Sequence, residues 1–328
     1  MFTPKFWKKL NLIAIALIPF SFVYVIGFFI IRLLTKSKQV NAKVICIGNL
    51  TAGGQGKTPS AIAIGKILDQ LAINYAYISR GYGAKIKQSM IEINNNCSAQ
   101  EVGDEPLLLF NQAPTFVGKN RLLIAKKISK TKKFQALVLD DGLQNNQLKK
   151  DLKIIVVDHK IMFGNNLIIP AGPLRQPLKY GISQADLIIL IGNNSSQIPN
   201  CLVNKKIINA KILPTNLEQF RAKKIIAFCG IAYPEKFFDT LNNHQLEVIK
   251  TIAFKDHHSY NQKDFEFLQN QLNLQQQNNK NNQEIILLTT KKDWVKFPDK
   301  IKSQISYLDI ILKFDDEELI KNEIRKLF

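Results

Sequence analysis

The chain has 328 residues, of which 46% are apolar and 22% are charged. This composition is typical of a globular protein with a sizeable core and excludes wholesale disorder. Lysine and arginine number 45 against 26 acidic residues, which gives a formal net charge of +19. A surface this basic favours anionic partners such as phosphates, nucleic acid or lipid headgroups.

An uncharged stretch, LIAIALIPFSFVYVIGFFII, runs from Leu12 to Ile31. As a helix it is about 30 Å long, which matches the hydrocarbon thickness of a bilayer. We predict a membrane anchor over residues 1–38 that either spans the bilayer or lies in one leaflet. A cleaved signal peptide, which has a shorter apolar core, and a helix buried in a soluble core are the alternatives.

Short apolar runs ending in glycine, aspartate or serine follow the anchor. Examples are KVICIGNL, ALVLDDG, LKIIVVD, DLIILIG, KKIIAFCG and EIILLTTKKD, with intervals long enough for crossover helices. Such runs are typical of parallel sheets, which bind ligands at the carboxyl ends of their strands. We predict an α/β fold with a P-loop NTPase-like, mostly parallel sheet over residues 39–213 and a smaller α/β domain over residues 214–328.

The sequence GQGKT at residues 54–58 carries the end of a phosphate-binding loop and lies between a predicted strand and a predicted helix. Glycines let backbone N–H groups face phosphate oxygens, Lys57 reaches the β- and γ-phosphates, and the Thr58 hydroxyl is a Mg²⁺ ligand. The full motif has a glycine where this chain has Thr51, and a glycine-rich turn with a chance GKT is the alternative. The predicted nucleotide-binding residues are Thr51, Ala52, Gly53, Gly54, Gln55, Gly56, Lys57 and Thr58.

Two acidic pairs are candidates for metal binding or catalysis. Asp140 and Asp141 end the run ALVLDDG, and a carboxylate there is the Walker-B arrangement that holds Mg²⁺, the alternative being a turn or a helix cap. Asp104 and Glu105 precede a predicted helix, where an acidic residue taken alone is usually a cap. TKKD at residues 290–293 resembles the guanine-reading element of GTPases, but a strand end followed by a helix start is the favoured interpretation.

In this order, these segments resemble one family, the tetraacyldisaccharide 4'-kinases, also called lipid A 4'-kinases. The matching stretches are GNLTAGGQGKTP, SRGYG, VGDEPLLL, LDDGLQ, PAGPLRQPL, FCGIAYPEKFFDTL, FKDHHSY and LLTTKKDW. The resemblance spans nearly the whole chain and accounts for Thr51, because the family's loop typically lacks that glycine.

The resemblance implies transfer of the γ-phosphate of ATP to the 4'-hydroxyl of a tetraacyl glucosamine disaccharide 1-phosphate in lipid A biosynthesis. It implies ATP and Mg²⁺ as cofactors, and the lipid substrate and membrane lipids as partners, with neither nucleic acid nor an obligate protein partner. It places the enzyme at the bacterial inner membrane with its catalytic domains on the cytoplasmic side.

The resemblance also implies roles for individual residues. Asp104 is expected to be the catalytic base, assisted by a histidine of DHH, for which we favour His257 over His258. The expected metal ligands are Thr58, Glu105 and Asp140, and Lys57 is expected to act in catalysis. The expected substrate contacts are Arg80, Tyr82, Arg121, Asp141, Gln144 and Arg175. Gln176 and Asn145 stand where the family usually has glutamate and histidine. We expect these departures to leave the phosphate loop and the base in place, and to act, if at all, on substrate affinity or magnesium binding.

Two other functions compete with this one. A membrane-associated P-loop GTPase or ATPase without a sugar acceptor shares the phosphate loop, the Asp140 carboxylate and the basic surface. A nucleic-acid-binding protein is suggested only by the net charge, and no recognised nucleic-acid motif supports it.

Overall fold

The computed structural model describes residues 4–192, 198–277, 279 and 283–328, and these form two α/β units. The strands are β1 (Lys43–Gly48), β2 (Tyr75–Ser79), β3 (Ile91–Glu92), β4 (Thr115–Val117), β5 (Ala136–Asp140), β6 (Leu152–Asp158), β7 (Leu187–Ile191), β8 (Ile207–Pro214), β9 (Lys224–Cys229), β10 (Glu247–Ala253), β11 (Ile285–Thr290), β12 (Ser306–Leu308) and β13 (Ile310–Phe314). The α-helices are α1 (Leu12–Leu34), α2 (Lys57–Gln70), α3 (Ala99–Val102), α4 (Asp104–Phe110), α5 (Arg121–Ser129), α6 (Leu178–Ser183), α7 (Pro234–Asn243), α8 (Gln262–Gln277), α9 (Lys291–Trp294), α10 (Asp299–Lys302) and α11 (Glu317–Arg325).

The larger unit is built on a nine-stranded sheet with the order β13-β8-β7-β6-β1-β5-β2-β4-β3. Its strands run parallel except at the two edges, where β13 and β3 are antiparallel to their neighbours. The smaller unit is an all-parallel sheet with the order β10-β9-β11-β12. The predicted α/β fold with a mostly parallel sheet is therefore confirmed.

The central strands are apolar on both faces because helices cover both faces of each sheet. In the larger unit, α2 and α11 pack on one face, and α5 and α6 pack on the other. In the smaller unit, α7 and α8 lie on opposite faces. Polar side chains collect at the carboxyl ends of the strands, where α2 and α9 begin.

The chain crosses between the two units twice, at adjacent points. It leaves the large sheet through β8 and returns through β13, and these strands pair with Ile310 opposite Pro214. Strand β13 and helix α11 therefore complete the larger unit, although we predicted that all of residues 214–328 belong to the smaller domain. The order of the apolar runs gave no sign that the chain returns to the large sheet, because this return depends on long-range pairing between β13 and β8.

Helix α1 has a mean hydropathy of 2.5, and only 11% of its most apolar window is buried. It is long and apolar enough to cross a membrane, and its exposure does not fit a helix buried in the core. One face of α1 contacts the larger unit along its length, through hydrogen bonds from Ser21 to the Ile168 carbonyl (2.7 Å) and from Tyr24 to the Arg175 carbonyl (3.1 Å). Its other faces expose large apolar side chains, including Leu12, Phe20, Phe22, Val23, Ile26, Ile30, Ile31, Leu33 and Leu34.

Candidate active site

A cleft of about 780 Å³ separates the two units at the carboxyl ends of their strands. The loop between β1 and α2 forms one wall, and α7 and α9 of the smaller unit contribute to the other. Glu105, Asp141, Arg175, His257 and Lys292 also line it. Carboxylates and cations from distant parts of the chain thus face the same space, at the place where parallel α/β sheets bind ligands.

The β1–α2 loop has the backbone that a phosphate cradle requires. Gly53 and Gly56 have φ angles of +114° and +86°, which side chains other than glycine rarely adopt. A Cβ at Gly56 would also lie 2.5 Å from Cδ1 of Ile191, so close packing as well as the φ angle favours glycine there. Lys57 begins α2 and Thr58 follows it, and both are buried at the cleft.

The side chain of Gln55 faces inward rather than into the cleft. Its amide donates to the Thr51 hydroxyl (2.8 Å) and the Met162 carbonyl (2.9 Å), and its oxygen accepts from the Asp158 backbone (2.7 Å). The backbone N–H of Ala52 is also engaged, because it donates to the Pro173 carbonyl (2.7 Å). The loop is therefore shaped by Thr51, Ala52 and the Gln55 side chain. The residues that are free to bind phosphates begin at Gly53.

Lys57 is held by two acceptors at the floor of the cleft. Its ammonium lies 3.3 Å from Asn49 Oδ1 and 3.8 Å from Asp141 Oδ1. Arg175 donates to both carboxylate oxygens of Asp141, at 2.9 and 3.0 Å. Burial opposes ionisation of Asp141, but Lys57 and Arg175 outweigh it and hold the pKa of that carboxyl at about 2. Asp141 is thus a permanent anion that fixes both cations beside the phosphate loop.

Asp140 is a buried carboxylate at the end of β5 that suits a metal ion. Among the described residues, neither of its oxygens finds a hydrogen-bond partner. Burial, with the carboxylates of Glu105 and Asp141, raises the pKa of Asp140 to about 8. The described residues include no group of three His, Cys, Asp or Glu placed to bind a metal. This donor set fits Mg²⁺, which commonly takes one or two carboxylates and completes its shell with water and substrate phosphates.

We expect Asp140→Asn to raise the Tm of the metal- and nucleotide-free protein at pH 8 by at least about 3 °C. The folded protein keeps the Asp140 proton up to a pH of about 8, whereas the unfolded chain loses it near the usual value of 3.8. The native state binds more protons between these values, so stability falls as pH rises through this window. Thermal unfolding at pH 5 and pH 8 measures the effect, which should be larger at pH 8.

Asp158→Asn is the matched control, because Asp158 also ends a buried strand but is paired with Lys236 at 2.5 Å. We expect this variant to lower the Tm at both pH values. An Asp140→Asn variant with an unchanged Tm at pH 8 would show that the Asp140 carboxylate carries no burial penalty.

Asp104 begins α4 and meets His257 of the smaller unit across the cleft. The His257 Nδ1 atom lies 3.2 Å from Asp104 Oδ2, and the Tyr82 ring packs on His257 with centroids 5.1 Å apart. His258 instead pairs with Asp264 at 3.0 Å and stacks on Phe254. Of the two histidines, the structure therefore brings His257 to Asp104, as the sequence interpretation favoured.

Three residues of the segment TTKKDWVK also belong to this cluster, and the sequence interpretation missed them. Lys292 lies 2.9 Å from Glu105 Oε1 and 4.0 Å from Asp104 Oδ2, and Lys296 lies 3.4 Å from Asp104 Oδ2. Asp293 is fully buried and holds Lys296 at 2.8 Å. Lys292 and Asp293 lie in the matching stretch LLTTKKDW, but a strand end followed by a helix start also explained that stretch.

These cations set the charge state of Asp104. Burial opposes its ionisation, but Lys292, the hydrogen bond with His257 and Lys296 hold the pKa of Asp104 well below its usual range. The pKa of Glu105 is also lowered, because the attraction of Lys292 outweighs burial. Both carboxylates are therefore anions at neutral pH, which is the charge state in which a carboxylate can accept a proton.

The other predicted substrate contacts fall into two groups. Tyr82 is exposed at the cleft, and Arg80 is exposed after β2. Arg121 is buried and donates to the Asp141 carbonyl (2.9 Å), and Gln144 donates to the Asn49 carbonyl (3.0 Å), so both support the loops around the cleft.

The two departures from the family pattern lie away from the cleft. Gln176 is buried near Gly181, and its Nε2 atom has no partner among the described residues. Asn145 forms a turn, because its Oδ1 accepts from the backbones of Gln147 (3.2 Å) and Leu148 (3.4 Å). Neither residue lines the cleft, which limits both to indirect effects on the site.

A phosphate loop at a parallel sheet, a buried carboxylate suited to a metal and an aspartate–histidine pair at an adjoining pocket define a P-loop phosphotransferase. The comparisons with known proteins identify which kind. The family model described as tetraacyldisaccharide-1-P 4'-kinase matches residues 13–328. The chain belongs to this family.

Curated relatives and a solved structure agree with this assignment. The tetraacyldisaccharide 4'-kinase of Rickettsia typhi is 38% identical over 325 residues, which cover 98% of both chains. That of Rickettsia canadensis is 36% identical over 325 residues, which cover 98% of this chain and 96% of the relative. A crystal structure of LpxK from Aquifex aeolicus in complex with ATP matches with a TM-score of 0.76 at 25% identity, covering 97% of this chain and all of that one.

Proposed function

We propose that this protein transfers the γ-phosphate of ATP to the 4'-hydroxyl of a tetraacyl glucosamine disaccharide 1-phosphate in lipid A biosynthesis. The observation that carries the proposal is the Asp104–His257 pair, which lies beside a phosphate loop in a chain of this family. A nucleotide hydrolase needs no such pair facing a second pocket, and the comparisons give no support to a GTPase.

The phosphate-binding side of the reaction belongs to the larger unit. Backbone amides from Gly53 onward and the ammonium of Lys57 bind the donor phosphates, since the start of α2 adds partial positive charge. Thr58, Glu105 and Asp140 are the proposed ligands of Mg²⁺. When bound, this ion neutralises charge on the β- and γ-phosphates.

Asp104 and His257 act on the acceptor. A pocket of about 200 Å³ is lined by both residues together with Tyr82 and Lys296, and it has room for part of a sugar. Asp104 is the general base that accepts the proton of the acceptor hydroxyl. His257 orients the Asp104 carboxylate and shares that proton. Because the two residues come from different units, closure of the units completes the pair and excludes water.

The proposal also covers lipid recognition and membrane binding. Arg175 and Tyr82 flank the cleft, and α1 lies against the loop that carries Arg175. The exposed apolar faces of α1 would hold the protein in the inner membrane, with the cleft on the cytoplasmic side where ATP is present. Sedimentation of the full-length chain with phospholipid vesicles tests this placement, and recovery of the protein in the supernatant would contradict it.

Transfer of radiolabelled phosphate in detergent micelles tests the proposed reaction. The purified chain is incubated with γ-labelled ATP, Mg²⁺ and a tetraacyl disaccharide 1-phosphate, and the lipid product is separated and counted. We expect label in the lipid, little transfer without the acceptor, and a preference for ATP over GTP. Hydrolysis that is independent of the acceptor, or a strong preference for GTP, would contradict the proposal and support the hydrolase.

A further inference from the structure

Lys292 lies between the two acidic residues that serve the two sides of the proposed transfer. Its Nζ atom is 2.9 Å from Glu105 Oε1, on the donor side, and 4.0 Å from Asp104 Oδ2, on the acceptor side. It also lines the large cleft together with Lys57 and Thr58. The ammonium therefore borders the space that a phosphoryl group crosses between donor and acceptor.

The surrounding structure aims Lys292 at this space. It lies on α9, the turn that follows β11, and the Thr290 hydroxyl caps this turn by accepting from the Asp293 backbone at 3.1 Å. The Asp293 carboxylate also accepts from the Gly230 backbone at 2.9 Å, which fixes α9 to the end of β9. Lys292 thus has a rigid base in the smaller unit, while its ammonium reaches carboxylates of the larger one.

Lys292 differs from the neighbouring cations in the side chains that it contacts. Of these cations, Lys57 pairs with Asn49 and Asp141 on the donor side. Lys296 pairs with Asp293 and lies 3.4 Å from Asp104 Oδ2 on the acceptor side. Lys292 is the cation of this cluster that lies next to both Glu105 and Asp104.

We propose that Lys292 is a catalytic residue whose ammonium contacts the γ-phosphoryl oxygens during transfer, an inference that rests on the function proposed above. The acceptor oxygen bonds to the γ-phosphorus, the bond from that phosphorus to the β–γ bridging oxygen breaks, and its electron pair leaves with ADP. The hydroxyl proton passes to Asp104. Charge on the transferring group and the leaving oxygen is stabilised by fixed cations, which is the main source of catalysis in phosphoryl transfer.

Because Lys292 belongs to the smaller unit, its position also affects whether phosphate is transferred to the acceptor or to water. Its charge reaches the phosphoryl group only when the two units are closed, as they must also be for His257 to reach Asp104. Phosphate transfer to water in an open cleft is therefore slow, since neither the cation nor the completed base is in place.

Kinetics of Lys292→Met in the full-length enzyme test this role. We expect kcat to fall at least about 100-fold, the scale of a lost transition-state contact, with KM for ATP changed less than about threefold. Lys292→Arg should recover part of kcat. Lys302→Met is the matched control, because it removes the same charge from the smaller unit, from a side chain that pairs with Asp299 at 2.8 Å and lines neither pocket. It should stay within about threefold of wild type in kcat.

A binding measurement separates a catalytic role from a structural one. ADP, Mg²⁺ and aluminium fluoride together mimic the transition state, and calorimetry compares their affinity with that of ADP and Mg²⁺ alone. We expect Lys292→Met to weaken binding of the mimic at least about 100-fold while ADP affinity changes less than about threefold. Equal effects on both ligands, or no effect on the mimic, would show that Lys292 only neutralises Glu105 and would overturn the proposal.

The failure of this inference and that of the proposed function are distinguishable. If the wild-type chain transfers no phosphate to the disaccharide, the proposed function fails whatever Lys292 does. If transfer is normal and Lys292→Met binds the mimic as wild type does, only the role of Lys292 fails. If the methionine variant does not fold, Lys292→Gln replaces it, with its folding checked by circular dichroism and Tm. The same two outcomes then apply.

Discussion

Replacing Asp104 with asparagine should lower kcat about 10²- to 10⁴-fold, the range of a lost general base, while the affinity for ATP changes little. Asparagine has nearly the shape of aspartate, so α4 and the contact with His257 are kept, but the amide cannot accept the hydroxyl proton. The lowered pKa of Asp104 implies that the carboxylate is already ionised in the resting enzyme. The activity of wild type should therefore show no loss between pH 8 and pH 6 that comes from protonation of Asp104.

The protein contains its own control for this experiment. Asp264 forms a second aspartate–histidine pair with His258 at 3.0 Å in the smaller unit, and neither residue of that pair touches Asp104. Asp264→Asn should retain kcat within about threefold, because Asp264 is a partly buried residue that lines neither the cleft nor the smaller pocket. Near-normal turnover in Asp104→Asn, or an equal loss in both variants, would exclude Asp104 as the base.

The phosphate loop could be predicted from sequence because its chemistry is local. Successive residues from Gly53 to Thr58 form the loop and the start of α2, so their spacing alone implies how they are placed. The inward orientation of Gln55 could not be predicted in the same way. It depends on contacts with Met162 and Asp158, which lie on a different strand and its following turn.

The cluster around Asp104 shows the limit of prediction from patterns. Asp104 alone is indistinguishable from a helix cap, and His257 alone from a surface histidine. Only the approach of the two units places them 3.2 Å apart, and the resemblance to a family supplied that pairing in advance. The resemblance gave no role to Lys292 or Lys296, and TKKD is equally well explained by a strand end and a helix start. Contacts between units are set by tertiary packing, which no local periodicity encodes.

The same limit applies to the end of the chain. The predicted smaller domain, residues 214–328, includes β13 (Ile310–Phe314). Its antiparallel pairing with β8 instead returns it to the large sheet, where Ile320 and Ile324 of α11 pack beside α2. The two crossings thereby form one paired connection between the units.

Lys57→Met is expected to lower kcat at least about 100-fold and, unlike Asp104→Asn, to weaken ATP binding as well. The ammonium of Lys57 contacts the donor phosphates in the ground state and more strongly as charge develops in the transition state. Methionine fills a similar volume, so the buried start of α2 stays packed. Steady-state kinetics with ATP, together with calorimetric titration of ADP, separate the two effects.

Lys150→Met is the matched control for Lys57→Met. Lys150 is another largely shielded lysine of the larger unit, but its ammonium donates to the Leu143 carbonyl at 2.7 Å and does not line the cleft. This variant should lose stability rather than activity per folded molecule. A Lys57→Met enzyme with normal kcat and normal ATP affinity would mean that the glycine-rich loop is a structural turn. The donor phosphates would then have to bind elsewhere in the cleft.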